Sequence, residues 1–281
     1  MGALRMSAPK GFRWSRLLLH VVLLTVGVIF MLPFLWSIST SLKPMSDLFQ
    51  VKPSLIPSEI RWQNYQDVFD SVPFLRFYFN SIVVTLARTF GQVALAAVAA
   101  FAFAQLRFPG RDLLFFILLA GLMVPDQVLI VPRFVIMREF GWLDTYQGLI
   151  IPLIFSSFGV FMIRQYMLGI PRDFFEAATL EGANPFQVFK DIYLPLAQPA
   201  LAAFAFLSLL ASWNEFRWAL TVTSSTDMRV LPVGIALFQG QFFTNTAVLL
   251  AAANMATFPL LIAFLFFQKR LVEGVALSGL K

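Results

Sequence analysis

Residues 17–36 read LLLHVVLLTVGVIFMLPFLW, and this run decides the class of protein. It is as long as the roughly 20 apolar residues that a helix needs to cross a bilayer core about 30 Å thick. Of 281 residues, 59% are hydrophobic and 13% charged, against roughly half and a quarter in a soluble domain. Lipid is therefore the solvent for most of this chain, and the sequence predicts an all-α membrane protein.

Five further apolar stretches of suitable length follow the first. The predicted spans lie near residues 17–38, 77–104, 113–132, 147–167, 199–220 and 246–267. The segment 130–143 is too polar to cross again, because Arg133, Arg138 and Glu139 interrupt it. We expect an amphipathic surface helix there that ends at Gly141, which leaves six transmembrane helices.

Basic residues favour one side of the bilayer. With six spans both termini share a side, which then holds 12 of the 21 basic residues, against eight on the opposite side among nine acids. The positive-inside rule makes both termini cytoplasmic. The 12 are Arg5, Lys10, Arg13, Arg16, Arg107, Arg111, Arg164, Arg172, Lys190, Lys269, Arg270 and Lys281.

The chain divides into a cytoplasmic segment over residues 1–16, a six-span domain over 17–267 and a cytoplasmic tail over 268–281. The first span could instead be a cleaved signal peptide, since basic residues precede it. Its length, and the lack of a convincing small-x-small cleavage pattern after it, favour a span. The external loop from Ser39 to Arg76 is rich in Pro, Ser, Asp and Trp, and we expect it to be an ordered cap.

The sequence contains few residues of the types that enzymes use for catalysis. There is no cysteine and a single histidine, His20, at the mouth of the first span. These counts exclude disulfides, thiol nucleophiles and zinc sites of the usual kind. An intramembrane enzyme would have to use carboxylates such as Asp126 and Glu215, which lie near one surface with no matching pair at depth. We therefore expect no catalytic site and no metal.

The cytoplasmic loop over residues 169–198 carries the densest local signals. Asp173 followed by Glu176 fits a capping box for a helix that begins at about Phe174. A second capping box follows, with Asn184 as N-cap, Pro185 at the first helical position and Gln187 at the third. The second helix is expected to run to about Leu194, where Pro195 ends it.

One face of the first loop helix combines a large side chain with very small ones. Phe175, Ala178 and Gly182 fall at i, i+3 and i+7. Such a face lets another backbone approach closely, and a glycine near a helix end suggests a packing or bending need. On spacing alone, the loop could equally lie against the chain's own spans.

At this loop the sequence resembles a known family. Glu176-Ala177-Ala178, then Gly182, then Ile192-Tyr193-Leu194-Pro195, is similar to the EAA loop of permease subunits in binding-protein-dependent ABC importers. The segments Leu180 to Pro185, Trp213 to Phe216 and Phe267 to Gly279 resemble the carbohydrate-uptake branch, with the maltose and glycerol-3-phosphate permeases.

The resemblance implies a type I ABC importer transmembrane domain and a multi-pass position in a bacterial or archaeal cytoplasmic membrane. It implies a second permease subunit, two copies of a cytoplasmic ATPase, an external binding protein and no nucleic acid. ATP and magnesium would bind the ATPase, since lysine nowhere follows glycine here, as a phosphate-binding loop requires. The residues assigned to ATPase coupling are Phe175, Glu176, Ala177, Ala178, Gly182, Ala183, Ile192, Leu194 and Pro195.

Polar groups inside spans need a partner or a wet cavity, so they are candidates for the translocation path. Arg88 is expected to face a subunit interface or the path, unless it lies near a headgroup layer. Trp213-Asn214-Glu215 offers an aromatic ring beside polar groups, as sugars require, or else holds helices together. The full candidate set is Asn80, Arg88, Gln92, Gln127, Ser156, Ser157, Trp213, Asn214 and Glu215.

A secondary transporter or channel could have the same spans and the same basic face. It would not need the loop at Glu176, and association with an ATPase separates the two classes. The sequence does not identify the transported sugar or polyol.

Overall fold

The computed structural model describes residues 14–50, 52, 54–239 and 245–278, with side chains from 17 to 268, and the regular secondary structure of this described part is all helical. The basic residues assigned to the two tails lie outside the described side chains. The α-helices are α1 Trp14–Ser41, α2 Met45–Leu48, α3 Gln63–Ser71, α4 Phe74–Gln105, α5 Arg111–Ala120, α6 Ile130–Glu139, α7 Tyr146–Ile150, α8 Ser157–Leu168, α9 Asp173–Leu180, α10 Pro185–Val188, α11 Leu194–Leu196, α12 Gln198–Trp213, α13 Arg217–Val222, α14 Leu231–Ala236 and α15 Thr246–Ser278.

Three of these helices are long and apolar enough to cross a membrane alone, over Leu17–Ser41, Phe74–Gln105 and Thr246–Gln268. Three bent pairs pass the same test of length and composition. They are Arg111–Met123 with Asp126–Glu139, bent by 92°, Tyr146–Leu153 with Ser157–Leu168, bent by 44°, and Pro185–Leu196 with Gln198–Trp213, bent by 76°. The helices are thus consistent in number with the six predicted spans.

The bent pairs correct the predicted span boundaries. The third stretch does not run straight through 113–132, because the chain turns by 92° at Val124 and Pro125. Pro125 is extended and cannot continue a helix at that point. The fifth span ends at Trp213, seven residues before the predicted end, and a separate helix begins at Arg217.

A helix does form within the predicted segment 130–143, as α6, and it ends close to the expected glycine, while its position on the membrane surface stays a prediction. Gly141 has a φ of 68°, a left-handed conformation that favours glycine. Its amide donates to the carbonyl oxygen of Arg138, and the amide of Trp142 donates to that of Met137. This Schellman pair closes the helix.

Helix α4 is the centre of the bundle. It lies against α8 and α12, and residues 88, 92 and 105 contact 149, 153 and 167, so α4 runs parallel to α7 and α8. A Cβ on Gly159 would lie 2.2 Å from the ring of Phe204, and only glycine allows α8 and α12 to approach this closely. One cluster of buried residues follows these three helices, and two others pack α4 against α14 and α15 and against α7 and α13.

The predicted external cap is ordered. Asn64 donates to the carbonyl oxygens of Ser41 and Lys43, both at 2.9 Å. The amide and hydroxyl of Ser58 donate to the Asp47 carboxylate at 2.8 Å each. These two hydrogen bonds hold the pKa of Asp47 below its ordinary value. The cap is therefore fixed to the C-terminal end of α1 by polar contacts.

Candidate coupling loop and translocation path

The first loop helix begins differently from the prediction. Asp173 does not cap it, so the expected capping box with Glu176 is wrong. Pro171 and Arg172 already form the first turn, and the amides of Phe175 and Glu176 donate to the carbonyl oxygen of Arg172. Asp173 is thereby inside the helix, while Glu176 pairs with Arg172 at 3.3 Å.

Gly182 ends this helix by its conformation. Its φ is 91°, and a Cβ built there would meet nothing within 4 Å. The amide of Gly182 donates to the carbonyl oxygen of Thr179, and the amide of Ala183 donates to that of Ala178. This is a Schellman motif, so Gly182 meets a bending need at the helix end, and the close approach of another backbone at this glycine stays a prediction.

The second loop helix begins as predicted and ends later. Asn184 accepts from the Gln187 amide at 2.9 Å, and Gln187 Oε1 accepts from the Asn184 amide at 2.8 Å, which completes the capping box. Pro195 does not end the helix, because a π-helical turn over Phe189–Tyr193 leads into α11. The wider π turn absorbs a proline that an α-helix would not tolerate.

The predicted coupling face points inward. Phe175, Ala178, Ala183 and Ile192 pack on a core that includes Val188 and Tyr193. The three most exposed large apolar side chains of the loop are instead Phe174, Leu180 and Phe186, at 48%, 89% and 69%. Sequence reasoning missed all three, although large apolar residues in a short polar loop were a usable signal. Of the other assigned residues, Glu176, Ala177, Gly182 and Pro195 are exposed and Leu194 is half-buried.

Arg88 is buried in the chain's own bundle, with 2% of its surface exposed. Its Nε donates to the carbonyl oxygen of Leu149 at 2.9 Å, and its Nη2 contacts the same oxygen. Its Nη1 lies 4.0 Å from Glu215 Oε2. Our expectation that Arg88 faces an interface or an open path is therefore wrong, since two other helical segments surround it.

These contacts lie where the fourth span breaks. Pro152 has no amide hydrogen, so the carbonyl of Gly148 loses its helical donor. The indole Nε1 of Trp218 donates to that carbonyl oxygen at 2.9 Å. Four residues beyond Leu149, the carbonyl oxygen of Leu153 accepts a hydrogen bond from Gln92 Nε2 at 2.6 Å. In lipid every backbone group needs a partner, and these side chains supply them.

Asn80, nearer the start of α4, also binds backbone carbonyl groups of another segment. Its Nδ2 donates to the carbonyl oxygens of Asp227 and Arg229 at 2.7 and 2.8 Å. Its Oδ1 accepts from the Tyr146 hydroxyl at 2.6 Å. All polar atoms of the amide are engaged by the chain itself, so Asn80 fixes the segment before α14.

Trp213 is not a platform for sugar stacking in this structure. Its ring is buried and its Nε1 donates to the carbonyl oxygen of Ala256 at 3.1 Å. Nearby, Pro259 removes the helical donor for Met255, and the Tyr78 hydroxyl donates to that carbonyl oxygen at 3.4 Å. The predicted alternative, that Trp213 holds helices together, describes these contacts.

The remaining path candidates fall at breaks or on the surface. Glu215 accepts from the amides of Trp218 and Ala219 at 2.7 and 3.0 Å, and so caps α13. Ser156 is the N-cap of α8 and accepts from the Gly159 amide at 3.1 Å, with Ser157 at the first helical position. Asn214 and Gln127 are exposed, and their contact with a solute stays a prediction.

Residues 92–276 match the family described as the binding-protein-dependent transport system inner membrane component. The chain belongs to this family. The permease is 33% identical to the arabinooligosaccharides transport system permease protein AraQ of Bacillus subtilis (strain 168), over 96% of this chain and 97% of that protein. It is 37% identical to the trehalose transport system permease protein SugB of Mycobacterium tuberculosis (strain CDC 1551 / Oshkosh), over 89% and 92%. The predicted resemblance to carbohydrate-uptake permeases is confirmed.

Solved structures place the permease in the same fold. It matches a chain of the crystal structure of a bacterial ABC transporter involved in the import of the acidic polysaccharide alginate, with a TM-score of 0.79 and 25% identity. The match covers 93% of this chain and 99% of that chain. A second match is the bacterial alginate ABC transporter in complex with an alginate pentasaccharide-bound periplasmic protein, at a TM-score of 0.61, 18% identity and coverage of 91% and 93%.

Proposed function

We propose that this permease is a membrane-spanning subunit of an ATP-driven importer of sugars or related polyols. It forms half of a translocation path with a second permease, and an external binding protein delivers the solute. Two copies of a cytoplasmic ATPase bind the ATP and magnesium. The names of the relatives, which are permeases for arabinooligosaccharides and trehalose, support the substrate class. The family description, an inner membrane component, supports a position in a bacterial or archaeal cytoplasmic membrane.

One observation supports coupling through residues 169–198. The loop presents Phe174, Leu180 and Phe186 to the outside while its opposite side is fixed to the bundle. Exposed apolar side chains on a rigid support are typical of a protein interface. Because α9 and α10 are tied to the core, a force applied at this surface would move the bundle as a rigid body.

The substitution Leu180→Ser tests this coupling. The Leu180 side chain is exposed, and Gly182 sets the end of its helix, so the variant should fold and insert normally. We expect reduced co-purification of the ATPase and reduced sugar uptake. Ile56→Ser is the matched control, because Ile56 is also highly exposed but lies in the external cap.

Retention of the ATPase and full uptake by the Leu180→Ser variant would contradict coupling at this surface. A chain that transports sugar without any ATPase in the purified complex would instead be a secondary transporter or channel. Intact-mass measurement of the detergent-extracted complex distinguishes these results directly.

A further inference from the structure

One corner of the bundle gathers positive charge where two spans meet the bilayer boundary. Helix α4 ends at Gln105 and α5 begins at Arg111. Arg107 is exposed in the connection between them. Arg164 on α8 reaches the same corner, where its Nε donates to the carbonyl oxygen of Phe103 at 3.2 Å.

Aromatic rings hold the Arg164 side chain in position. Its guanidinium lies 4.0 Å over the ring of Phe115, and that ring contacts Phe103 at 5.5 Å between centroids. A guanidinium stacked in this way loses little further freedom when it binds an anion. Among the described residues, only Phe103 accepts a hydrogen bond from it, through Nε, which leaves the two Nη groups for an external acceptor.

The positive charge of this corner is only partly balanced. Arg111 pairs with Asp112 at 2.9 Å, and the Asp112 side chain is largely exposed. The Arg111 guanidinium lies at the same corner, where its Nη1 donates to the carbonyl oxygen of Leu106 at 3.5 Å. Arg107 is exposed in the connection just before Arg111 and adds a third cation, against the one carboxylate of Asp112. An anion bound beside these arginines would offset their like charges in a region of reduced dielectric constant.

The helix beside this corner is short and faces outward. Ten α-helical residues and three 3₁₀ residues precede the bend at Pro125, a length of roughly 20 Å against a hydrocarbon core of about 30 Å. A short span thins the bilayer locally and brings lipid headgroups toward its ends. Leu113, Phe116 and Ile117 on α5 are exposed, and acyl chains can lie along them.

We propose that Arg107, Arg111 and Arg164 bind the phosphate of an anionic phospholipid whose acyl chains lie along α5. The three arginines supply the charge complementarity, and the apolar surface of α5 places the ligand in the bilayer. This site is separate from the loop that carries the exposed Leu180, so the proposal does not depend on ATPase coupling.

Native mass spectrometry tests the proposal on the full chain with its co-purifying subunits. The complex is released from nanodiscs that contain equal amounts of phosphatidylglycerol and phosphatidylcholine with the same acyl chains. We expect phosphatidylglycerol to be retained selectively, and the double variant Arg111→Gln, Arg164→Gln to retain roughly tenfold less or lower still. Arg138→Gln is the control, because Arg138 is an exposed arginine paired with Glu139 elsewhere on the surface.

Two further experiments separate loss of the lipid site from misfolding, and lipid binding from binding of free phosphate. Arg107→Gln removes an exposed cation whose side chain makes no hydrogen bond or ion pair within the described chain, so we expect this variant to fold normally and still lose lipid. Excess inorganic phosphate should compete poorly if the acyl chains contribute, and full displacement would assign the site to free phosphate. Equal retention of both lipids, wild-type retention by the double variant, or loss of a protein subunit with lipid unchanged would overturn the proposal.

Discussion

The loop over residues 169–198 and the polar face of α4 both carry strong sequence signals, but they use their side chains in opposite ways. In the loop, polar side chains close local turns and large apolar ones face outward. On α4, buried or half-buried polar side chains reach carbonyl oxygens that are at least 61 residues away along the chain. The difference shows that a polar residue within a span can be a structural partner for a broken helix, and that an apolar residue in a loop can mark an interface.

Removing Arg88 should have the largest effect. Arg88→Ala leaves the Leu149 carbonyl and the Glu215 carboxylate without their shared partner, and loss of one member of a buried pair costs about 3 to 5 kcal/mol. We expect a strongly reduced yield and melting temperature, measured by size-exclusion fluorescence on heated detergent extracts. Arg138→Ala should remain near wild type. A stable Arg88→Ala protein that loses transport alone would return Arg88 to the translocation path.

Trp218→Phe tests the same principle at the proline in the fourth span. The substitution keeps the ring but removes the donor to the Gly148 carbonyl, at a cost of about 1 to 3 kcal/mol. Its melting temperature should fall, whereas Trp62→Phe, at an exposed indole of the external cap, should not change. Equal melting temperatures for the two variants would mean that water or another group satisfies Gly148.

The local part of the structure could be predicted, and the non-local part could not. Asn184, Pro185 and Gln187 interact within four residues, so their spacing alone predicted the capping box. Arg88 and Trp218 act on carbonyl groups that only the folded bundle brings near them. The prolines did mark the breaks, but nothing in the spacing indicated which side chains would compensate for them.

The same distinction explains the errors at the loop. The periodicity at Phe175 and Ala178 correctly identified an amphipathic face, whereas Gly182 lies beyond the end of α9 and is exposed. Periodicity does not say whether the apolar face meets the chain's own core or another protein, and here Phe175 and Ala178 meet the core. Asp173 had the right spacing for a cap, but the preceding turn began earlier and displaced it.

Gly182 offers a test of conformation against close packing. At a φ of 91° alanine is strained, and we expect Gly182→Ala to cost about 1 kcal/mol. Asparagine tolerates this conformation better, so Gly182→Asn should retain more ATPase on co-purification than Gly182→Ala. The opposite order, in which the larger side chain is worse, would support the predicted close approach.

Substitutions at the two predicted N-caps, Asn184 and Asp173, form a matched pair and should have the smallest effects on stability. Asn184→Ala removes a formed cap and should destabilise α10 by about 1 kcal/mol. Asp173→Ala removes a side chain that makes no cap and should change little. Hydrogen exchange of the amides in the loop measures both, and equal protection in the two variants would contradict the assigned helix starts.

Site-directed cross-linking tests the central claim most directly, namely that the outward side of the loop, and not the predicted inward side, contacts another polypeptide. The chain contains no cysteine, so single cysteines can be placed by Leu180→Cys and Ala178→Cys and cross-linked in membranes that contain the whole transporter. The account predicts a cross-linked band with the ATPase for position 180 and none for position 178. A band at 178 without one at 180 would contradict it.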